Sequence, residues 1–182
     1  MRRIKDFQTQ NPDYLIKNLS SEDHGSLQCL LEKCCDYYLM VDGENASPQA
    51  ADEIYNSAPI GRSIEDKFLF GIWQQTDRLV GVLEGMKNYP TGMVWWIGLL
   101  LLDPTARGYG LGRVVVEDFV RYVGSNQGKS IMLGVVEDNL KGLKFWLEQG
   151  FILLRETEPR RFGQKSQKVT ILQKVIERSS RI

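Results

Sequence analysis

Residues 102–113 read LDPTARGYGLGR and stand between an apolar run and a helix-like pattern. Within this stretch, Gly108, Gly110 and Gly112 occupy alternate positions, where the absence of Cβ atoms lets the backbone turn tightly. Successive N–H groups can then converge on one phosphate, and the N-terminus of the following helix adds a partial positive charge. Three glycines exceed what a simple strand-to-helix turn requires. We therefore predict an anion cradle, and a pyrophosphate is the ligand that fits it best.

Two better-known phosphate loops are excluded by their spacing. The dinucleotide fingerprint G-x-G-x-x-G requires a glycine where Arg113 stands. Residues 124–130, GSNQGKS, resemble a P-loop, but they have one residue too few between the glycines and lie after a predicted helix, before a predicted strand. We interpret that segment as a helix-to-strand turn.

Length and charge narrow the class of protein. A chain of 182 residues is expected to form a single domain, residues 1–182. Its 23 basic and 23 acidic residues cancel, so the charge excess typical of nucleic-acid-binding proteins is missing and no nucleic-acid partner is expected. The longest apolar run, residues 93–102, is too short to cross a bilayer, so it predicts a buried strand and no membrane partner.

The cysteines and the N-terminus favour a cytoplasmic protein without a metal site. Cys29, Cys34 and Cys35 fall within one helix-like segment, a pattern that suits neither a disulfide framework nor a zinc site. The first residues are basic but lack the apolar run of a secretory signal. We therefore expect a reducing compartment, in which the three thiols lie buried on a helix face.

Hydrophobic periodicity predicts an α/β (α+β) fold, a mixed, mainly antiparallel sheet flanked by helices. A meander of strands ends at the glycine loop. Segment 41–62 is rich in turn residues and is of a kind that often covers a site, and the polar segment 158–165 is expected to be a loop. Predicted strands cover 14–18, 68–74, 79–87, 93–102, 131–136, a segment starting at 151, and 169–176; predicted helices cover 27–38, 50–55, 111–123 and the stretch between 139 and 150.

An apolar strand followed by Arg-Gly-x-Gly-x-Gly and a helix resembles the GNAT superfamily, the acyl-CoA-dependent N-acyltransferases. A second segment, NLKGLKFWLEQGF at residues 139–151, is similar to the family's asparagine, short helix and Gly-Phe pattern. The resemblance covers about residues 67–175. It implies a GNAT-like fold, acetyl-CoA as co-substrate, and transfer of an acetyl group to a primary amine of an unidentified small molecule, peptide or protein.

The cofactor-binding residues follow from the loop and from this resemblance. We expect the backbone amides of the loop to hold the pyrophosphate, with Arg107 and Arg113 as charge partners. The resemblance places the pantetheine against the preceding strand, whose main chain offers hydrogen bonds to it and to the thioester oxygen. Asn139 matches an asparagine that contacts CoA in relatives, although an N-cap role alone would also explain it. The predicted cofactor-binding residues are Leu100, Leu101, Leu102, Arg107, Gly108, Tyr109, Gly110, Leu111, Gly112, Arg113 and Asn139.

The acid–base residues depart from the family's pattern. Where many relatives place a tyrosine that protonates the departing thiolate, this chain has Trp146, whose indole N–H is no proton-transfer acid at neutral pH. Two positions at which relatives keep a glutamate base correspond to Val94 and Gly134. Glu84 is the best remaining candidate base, because it stands within an apolar strand where loss of solvation would make it a better proton acceptor. The alternative is that Glu84 points to solvent on a polar strand face.

Two functions remain open at this stage. One is an N-acyltransferase, and the other is a non-catalytic acyl-CoA-binding module that has lost its chemistry. Between Asp36 and Asp66 seven acidic residues face one basic residue, Arg62, which would suit a cationic amine if this stretch lines the acceptor pocket and otherwise indicates a solvated face. Pairing through the C-terminal strands, common among similar proteins, would give a homodimer.

Overall fold

The computed structural model describes residues 6–75 and 77–176. Its helices are α1 (His24–Lys33), α2 (Cys35–Val41), α3 (Ala50–Asn56), α4 (Leu111–Ser125) and α5 (Leu140–Glu148). Its strands are β1 (Tyr14–Asn18), β2 (Lys67–Gln74), β3 (Arg78–Lys87), β4 (Val94–Leu102), β5 (Ser130–Val136), β6 (Ile152–Glu156), β7 (Arg160–Phe162), β8 (Lys165–Gln167) and β9 (Val169–Val175).

Seven strands form one sheet in the order β1-β2-β3-β4-β5-β9-β6. Every neighbouring pair is antiparallel except β4 and β5, which run parallel. A parallel pair needs a long crossover, and α4 supplies it after the glycine loop. The predicted mixed, mainly antiparallel sheet flanked by helices is therefore confirmed.

Strands β4 and β5 separate part of the way along their length. They pair only where Val94–Ile97 faces Ser130–Leu133, and beyond that point each strand pairs only with its other neighbour. The separation begins at Gly98, which has no partner on β3 because the register shifts between Glu84 and Gly85. A Cβ at Gly98 would collide with the Glu84 carboxylate, so a larger residue at this bulge would displace that side chain. The sheet thus opens into a gap next to the glycine loop.

Two hydrophobic clusters cover the two faces of the sheet. One packs α4 and α5 against the sheet, with Phe119 and Val115 fully buried and Trp146 at its margin. The other packs α1 and α3 against the opposite face, around Leu27, Leu31 and neighbouring residues. Apolar burial of this extent is the main force that stabilises such a domain. The gap between β4 and β5 lies between the two clusters.

The sequence predicted one continuous helix over residues 27–38, and this is wrong. The helix breaks at Cys34 (φ −89°, ψ 36°), and α2 begins at the next residue. Two long-range contacts accompany the break: Cys34 Sγ lies 3.4 Å from the Leu102 carbonyl oxygen at the end of β4, and Asp36 pairs with Arg107 in the segment that follows. Cys34 is buried, which raises the pKa of its thiol to about 11, whereas Cys29 and Cys35 are exposed, contrary to the prediction.

The polar segment 158–165 also differs from its prediction as a loop. Strands β7 and β8 form a hairpin there, with Phe162 paired to Lys165 across a turn. Gly163 adopts φ +50° in this turn, a conformation that glycine reaches without steric cost. Side chains of β8 hydrogen-bond to the end of α2, since Lys165 Nζ and Gln167 Nε2 both donate to the Met40 carbonyl. The hairpin therefore supports the helix that borders the gap.

Candidate active site

The three glycines of the loop differ in backbone conformation. Gly108 (φ +86°) and Gly110 (φ +82°) both lie in the left-handed region, and a Cβ at either would meet nothing within 4 Å. The space beside them is therefore open to a ligand. Gly112 is helical instead, and a Cβ there would lie at ordinary contact distance, 3.4 Å, from the Phe145 ring, so its surroundings would accommodate a side-chain carbon.

The backbone amides of the loop have no acceptors. Among the described residues, none accepts a hydrogen bond from the N–H groups of residues 108–113, and the first amide of this region with an acceptor is Val114, which donates to the Gly110 carbonyl at 3.2 Å. These donors lie at the N-terminus of α4, a helix of 15 residues whose dipole adds positive charge there. Such a terminus is suited to bind an anion.

The two arginines predicted to assist the loop already have partners. Arg107 Nε donates to the Leu102 carbonyl at 2.8 Å, and its terminal nitrogens hold both oxygens of Asp36, whose pKa is lowered by that hydrogen bond. Arg113 pairs with Glu117 at 2.8 Å on the exposed face of α4. Tyr109 is 86% exposed at the tip of the loop. The anion-binding capacity of the loop therefore rests on backbone amides, and Arg107 instead ties α2 to the end of β4.

The gap between β4 and β5 forms a cavity of about 70 Å³. Asn139 and Trp146 border it on the α5 side, and Tyr37 borders it from α2. Trp146 packs in the α4–α5 cluster whereas Tyr37 packs against the α1–α3 cluster, so the gap reaches both faces of the sheet. The remaining lining residues are Ile97, Gly98, Leu99, Leu100, Leu133, Gly134, Val135 and Val136.

The main chain of β4 offers fewer hydrogen bonds to the gap than the sequence predicted. Leu101 is paired with Val82, and the Asp103 amide donates to β3, so by strand alternation the main-chain groups of Leu101 face β3. Leu100 and Leu102 face away from β3, towards the gap. The Leu102 carbonyl already accepts from Arg107, whereas Leu100 has no strand partner on its gap side among the described residues. The register therefore turns the main chain of Leu101 towards β3, and the cofactor-binding role of the three leucines stays a prediction.

Asn139 supports both of the roles that the sequence left open. Its Oδ1 accepts from the Gly142 amide at 2.8 Å and caps α5. Its Nδ2 donates to none of the residues that the structure describes, and the residue lines the gap. One side chain can thus cap the helix with its oxygen and still offer two N–H donors to a ligand.

Glu84, the predicted base, is turned away from solvent. Its side chain is 15% exposed and forms an ion pair with Lys67, which is 6% exposed and also donates to the Ser57 carbonyl at 3.0 Å. The solvent-facing alternative is therefore wrong. Oε1 faces Lys67, whereas Oε2 lies over Gly98, a residue that lines the gap. Lys67 could not be found from the sequence, because a lysine at the first position of a strand normally reaches solvent.

The three positions at which relatives keep acid–base groups are occupied by packing residues here. Trp146 stacks edge-on against Phe151, with ring centroids 5.1 Å apart. A Cβ at Gly134 would lie 2.8 Å from Val169 Cγ1, which leaves no room for a longer side chain. Val94 is paired with Ser130 at the start of β4, before the gap opens. None of them can exchange a proton with a substrate.

Tyr37 borders the gap and was missed by the sequence analysis. Its hydroxyl makes no hydrogen bond to any residue within the described ranges. Burial, followed by the negative charges of Asp42 and Glu84, raises the pKa of Tyr37 to about 12. The helical stripe drawn through residues 27–38 left Tyr37 off the core face. Only the break at Cys34, a tertiary effect, turns it towards the sheet.

The described residues hold neither a metal-binding cluster nor a membrane-spanning helix. Over residues 6–75 and 77–176, no three His, Cys, Asp or Glu side chains lie close enough to bind a metal ion together. In the same part of the chain, no helix has the length and apolar character needed to span a bilayer.

Comparison with solved structures identifies several that share this fold. A spermidine N-acetyltransferase from Vibrio cholerae, solved in complex with CoA and spermine, superimposes with a TM-score of 0.72 at 16% identity, over 92% of this chain and 98% of that one. An acetyltransferase from Thermus thermophilus gives 0.71 at 18% identity, over 96% and 99%. The ribosomal-protein-S18-alanine N-acetyltransferase from Escherichia coli gives 0.67 at 13% identity, over 92% and 97%.

Sequence comparison carries the assignment further. No curated protein sequence gives a significant match to the chain. The family model described as "Acetyltransferase (GNAT) family" matches residues 30–151, which include α2, the gap, the glycine loop and α5. The chain therefore belongs to the GNAT acetyltransferase family, as an acyl-CoA-dependent N-acyltransferase with acetyl-CoA as its co-substrate.

Proposed function

We propose that the protein transfers the acetyl group of acetyl-CoA to a primary amine, with the donor bound at the glycine loop and along β4. The observation that supports this most strongly is the row of amides at residues 108–113, which have no acceptor among the described residues and stand beside an open gap in the sheet. Binding of acetyl-CoA needs both features, because its phosphates require an anion site and its acyl end requires a cavity.

The donor would be held by the main chain. The pyrophosphate would accept hydrogen bonds from the loop amides between Gly108 and Arg113, and the pantetheine would pair with Leu100 as an added strand would. Asn139 Nδ2 would donate to the same chain. A backbone amide of β4 facing the thioester oxygen would stabilise the negative charge that develops there during attack.

The acceptor amine must lose a proton before it attacks. We assign Glu84 as the base, because Oε2 lies over Gly98 at the wall of the gap while Oε1 is held by Lys67. A positioned base of this kind contributes about 10² to 10⁴ in rate. Trp146 supplies no acid, so the proton that the departing sulfur takes up would come from the substrate or from water.

The acceptor is proposed to be a cationic amine. Asp42, Glu44 and Glu53 lie close enough together that, after burial, their mutual repulsion raises the pKa of Asp42. These carboxylates follow α2, which borders the gap, and would attract a positive charge. Enzymes of this fold include those named for spermidine and for the alanine of a ribosomal protein, so spermidine and a peptide with an N-terminal alanine are the first acceptors to test.

Binding of acetyl-CoA is tested by thermal unfolding with and without the ligand. A ligand that binds only the native state adds about 2.7 kcal/mol of stability at a hundredfold excess over Kd. Gly110→Val should remove this gain, since a branched side chain would fill the space in front of the amides. Gly61→Val is the matched control, because Gly61 also has positive φ (+76°) and open surroundings but lies outside the loop. Equal gains in both variants would contradict the loop as the phosphate site.

Transfer is tested separately by release of free CoA thiol and by the mass of the acetylated amine. We expect both with at least one acceptor, and both should be lost in Gly110→Val. Acetyl-CoA binding without transfer to any acceptor would instead favour the non-catalytic acyl-CoA-binding module, for which the packing of Trp146 in place of an acid is the supporting observation.

A further inference from the structure

Tyr37 is the titratable side chain at the wall of the gap. The other lining residues are apolar or glycine, apart from Asn139, whose oxygen is used to cap α5, and Trp146, which packs against Phe151. The hydroxyl of Tyr37 has no hydrogen-bond partner within the described residues. A hydroxyl at a cavity wall with no partner among the described residues is free to hydrogen-bond with a ligand that enters the cavity.

The two faces of the sheet separate donor from acceptor. The glycine loop leads into α4, and Leu111 at the start of that helix packs in the α4–α5 cluster together with Trp146. A donor held by the loop therefore enters the gap from this face. Tyr37 and Glu84 lie on the other face, since Glu84 is paired in register with Leu69 and Leu99 of the α1–α3 cluster. An acceptor would meet the thioester from there.

The surroundings of the Tyr37 hydroxyl suit a protonated amine. The carboxylates of Asp42 and Glu84 both act on it electrostatically. The cation facing this region from the sheet is Lys67, and it is already paired with Glu84. An ammonium group beside Tyr37 would thus be attracted by two carboxylates, and it could donate a hydrogen bond to the phenol oxygen.

We propose that the Tyr37 hydroxyl binds the nitrogen of the acceptor amine and aims it at the thioester carbonyl carbon. This inference rests on the proposed function. The ammonium gives one proton to Glu84, and its nitrogen then forms the new C–N bond. Collapse of the tetrahedral intermediate breaks the C–S bond, the sulfur leaves with the electron pair, and a second nitrogen proton passes to it. The products are the N-acetyl amine and CoA, and Tyr37 keeps its own proton throughout.

Tyr37 is held in place by the residue before it. Asp36 forms a two-nitrogen pair with Arg107, which in turn donates to the Leu102 carbonyl at the end of β4. The position of α2 is therefore tied to the strand that carries the thioester. Asp36 and Arg107 are positioning residues in this account, because neither needs to touch the substrate.

Tyr37→Phe tests the inference, with Tyr38→Phe as matched control. Tyr38 is the next residue on the same helix, and its ring packs in the α1–α3 cluster without lining the gap. The wild-type enzyme is first assayed with spermidine and with the alanine peptide, and the better acceptor is used for both variants. Tyr37→Phe should raise KM for the amine about tenfold to hundredfold, as expected for loss of a hydrogen bond to a charged group, with the Kd of acetyl-CoA unchanged.

The results separate this inference from the proposed function. If the wild-type enzyme acetylates neither acceptor, the proposed function fails, and the inference fails with it. If the wild-type enzyme is active and Tyr37→Phe has the same amine KM, the inference alone is wrong. A fall in kcat at constant amine KM would also overturn it, because that result assigns Tyr37 to the departing sulfur rather than to the amine. An equal change of amine KM in Tyr38→Phe would show that the effect comes from packing, and it would also overturn the inference.

Discussion

The two sides of the gap differ in the groups that they present: one presents the backbone and the other presents side chains. On the proposed donor side, the groups assigned to the ligand are backbone amides of residues 108–113 and of β4, and the open space beside Gly108 and Gly110 follows from a local sequence pattern. On the proposed acceptor side, the assigned groups are the side chains of Tyr37 and Glu84, with Lys67 paired to Glu84, and three separate elements carry them. A site made of backbone can be read from consecutive residues, whereas a site made of side chains depends on packing between distant segments.

The largest expected effect concerns the acceptor side. Glu84→Gln should lower kcat about a hundredfold or more near neutral pH, because the amide cannot take the amine proton. Activity should recover partly at higher pH, where more amine is already deprotonated. Steady-state assays over a range of pH check this, and Glu32→Gln, on the exposed side of α1, is the control. A fully active Glu84→Gln enzyme would exclude this residue as the base.

The next effect concerns Asp103, which directly follows β4, and the free energy of unfolding. Burial opposes the charge of Asp103, but hydrogen bonds from Thr105 and Arg78 prevail and lower the pKa of Asp103 to about 2. A carboxylate whose pKa is lower in the folded than in the unfolded state stabilises the fold above its ordinary pKa, and this stability is lost as the pH falls through the lowered value. Asp103→Asn should therefore cost about 2 kcal/mol near neutral pH.

Urea unfolding of the wild-type protein and of Asp103→Asn tests this prediction. The difference in the free energy of unfolding should shrink as the pH falls from about 4 towards about 2, because the wild-type carboxylate is then protonated. Asp13→Asn, at an exposed residue of the segment before β1, should show no such difference. A pH-independent loss in Asp103→Asn would mean that altered shape, rather than charge, is responsible.

A smaller effect is expected from Asp36→Asn, which should change amine binding but not acetyl-CoA binding. Asp36→Asn removes the charge that Arg107 holds, so α2 and Tyr37 would be less firmly placed while the loop amides remain free. We expect KM for the amine to rise a few-fold and the Kd of acetyl-CoA to stay near the wild-type value. Because the pKa of Asp36 is lowered in the folded state, the same loss should appear in the wild type only at strongly acidic pH. An equal loss of acetyl-CoA affinity would show that the two sides are not independent.

The smallest effect is expected at the position where relatives keep an acid. If no protein group protonates the sulfur, Trp146→Phe should retain activity within about tenfold, below the 10² to 10⁴ typical of a general acid. Thermal unfolding with acetyl-CoA confirms that the variant folds and binds. An inactive variant that still binds acetyl-CoA would show that the indole takes part in the chemistry.

The sequence predicted the local features of the fold well and the contacts between distant segments poorly, for physical reasons. The sheet, the helix after the loop and the cap at Asn139 follow from periodicity and from local hydrogen bonding. The break at Cys34 and the ion pair of Glu84 do not, because they arise from contacts between residues far apart in the chain. The family resemblance assigned Leu101 to the cofactor together with Leu100 and Leu102. Only strand register shows that the main-chain groups of Leu101 face β3.

The central claim is that donor and acceptor meet in the gap from opposite faces of the sheet. A crystal structure of the protein with bound CoA tests it most directly. The account predicts pyrophosphate oxygens within hydrogen-bond distance of the amides of residues 108–113, the pantetheine beside Leu100, and the sulfur between Trp146 and Tyr37. A pyrophosphate bound away from these amides, or a sulfur that does not reach the gap, would contradict it.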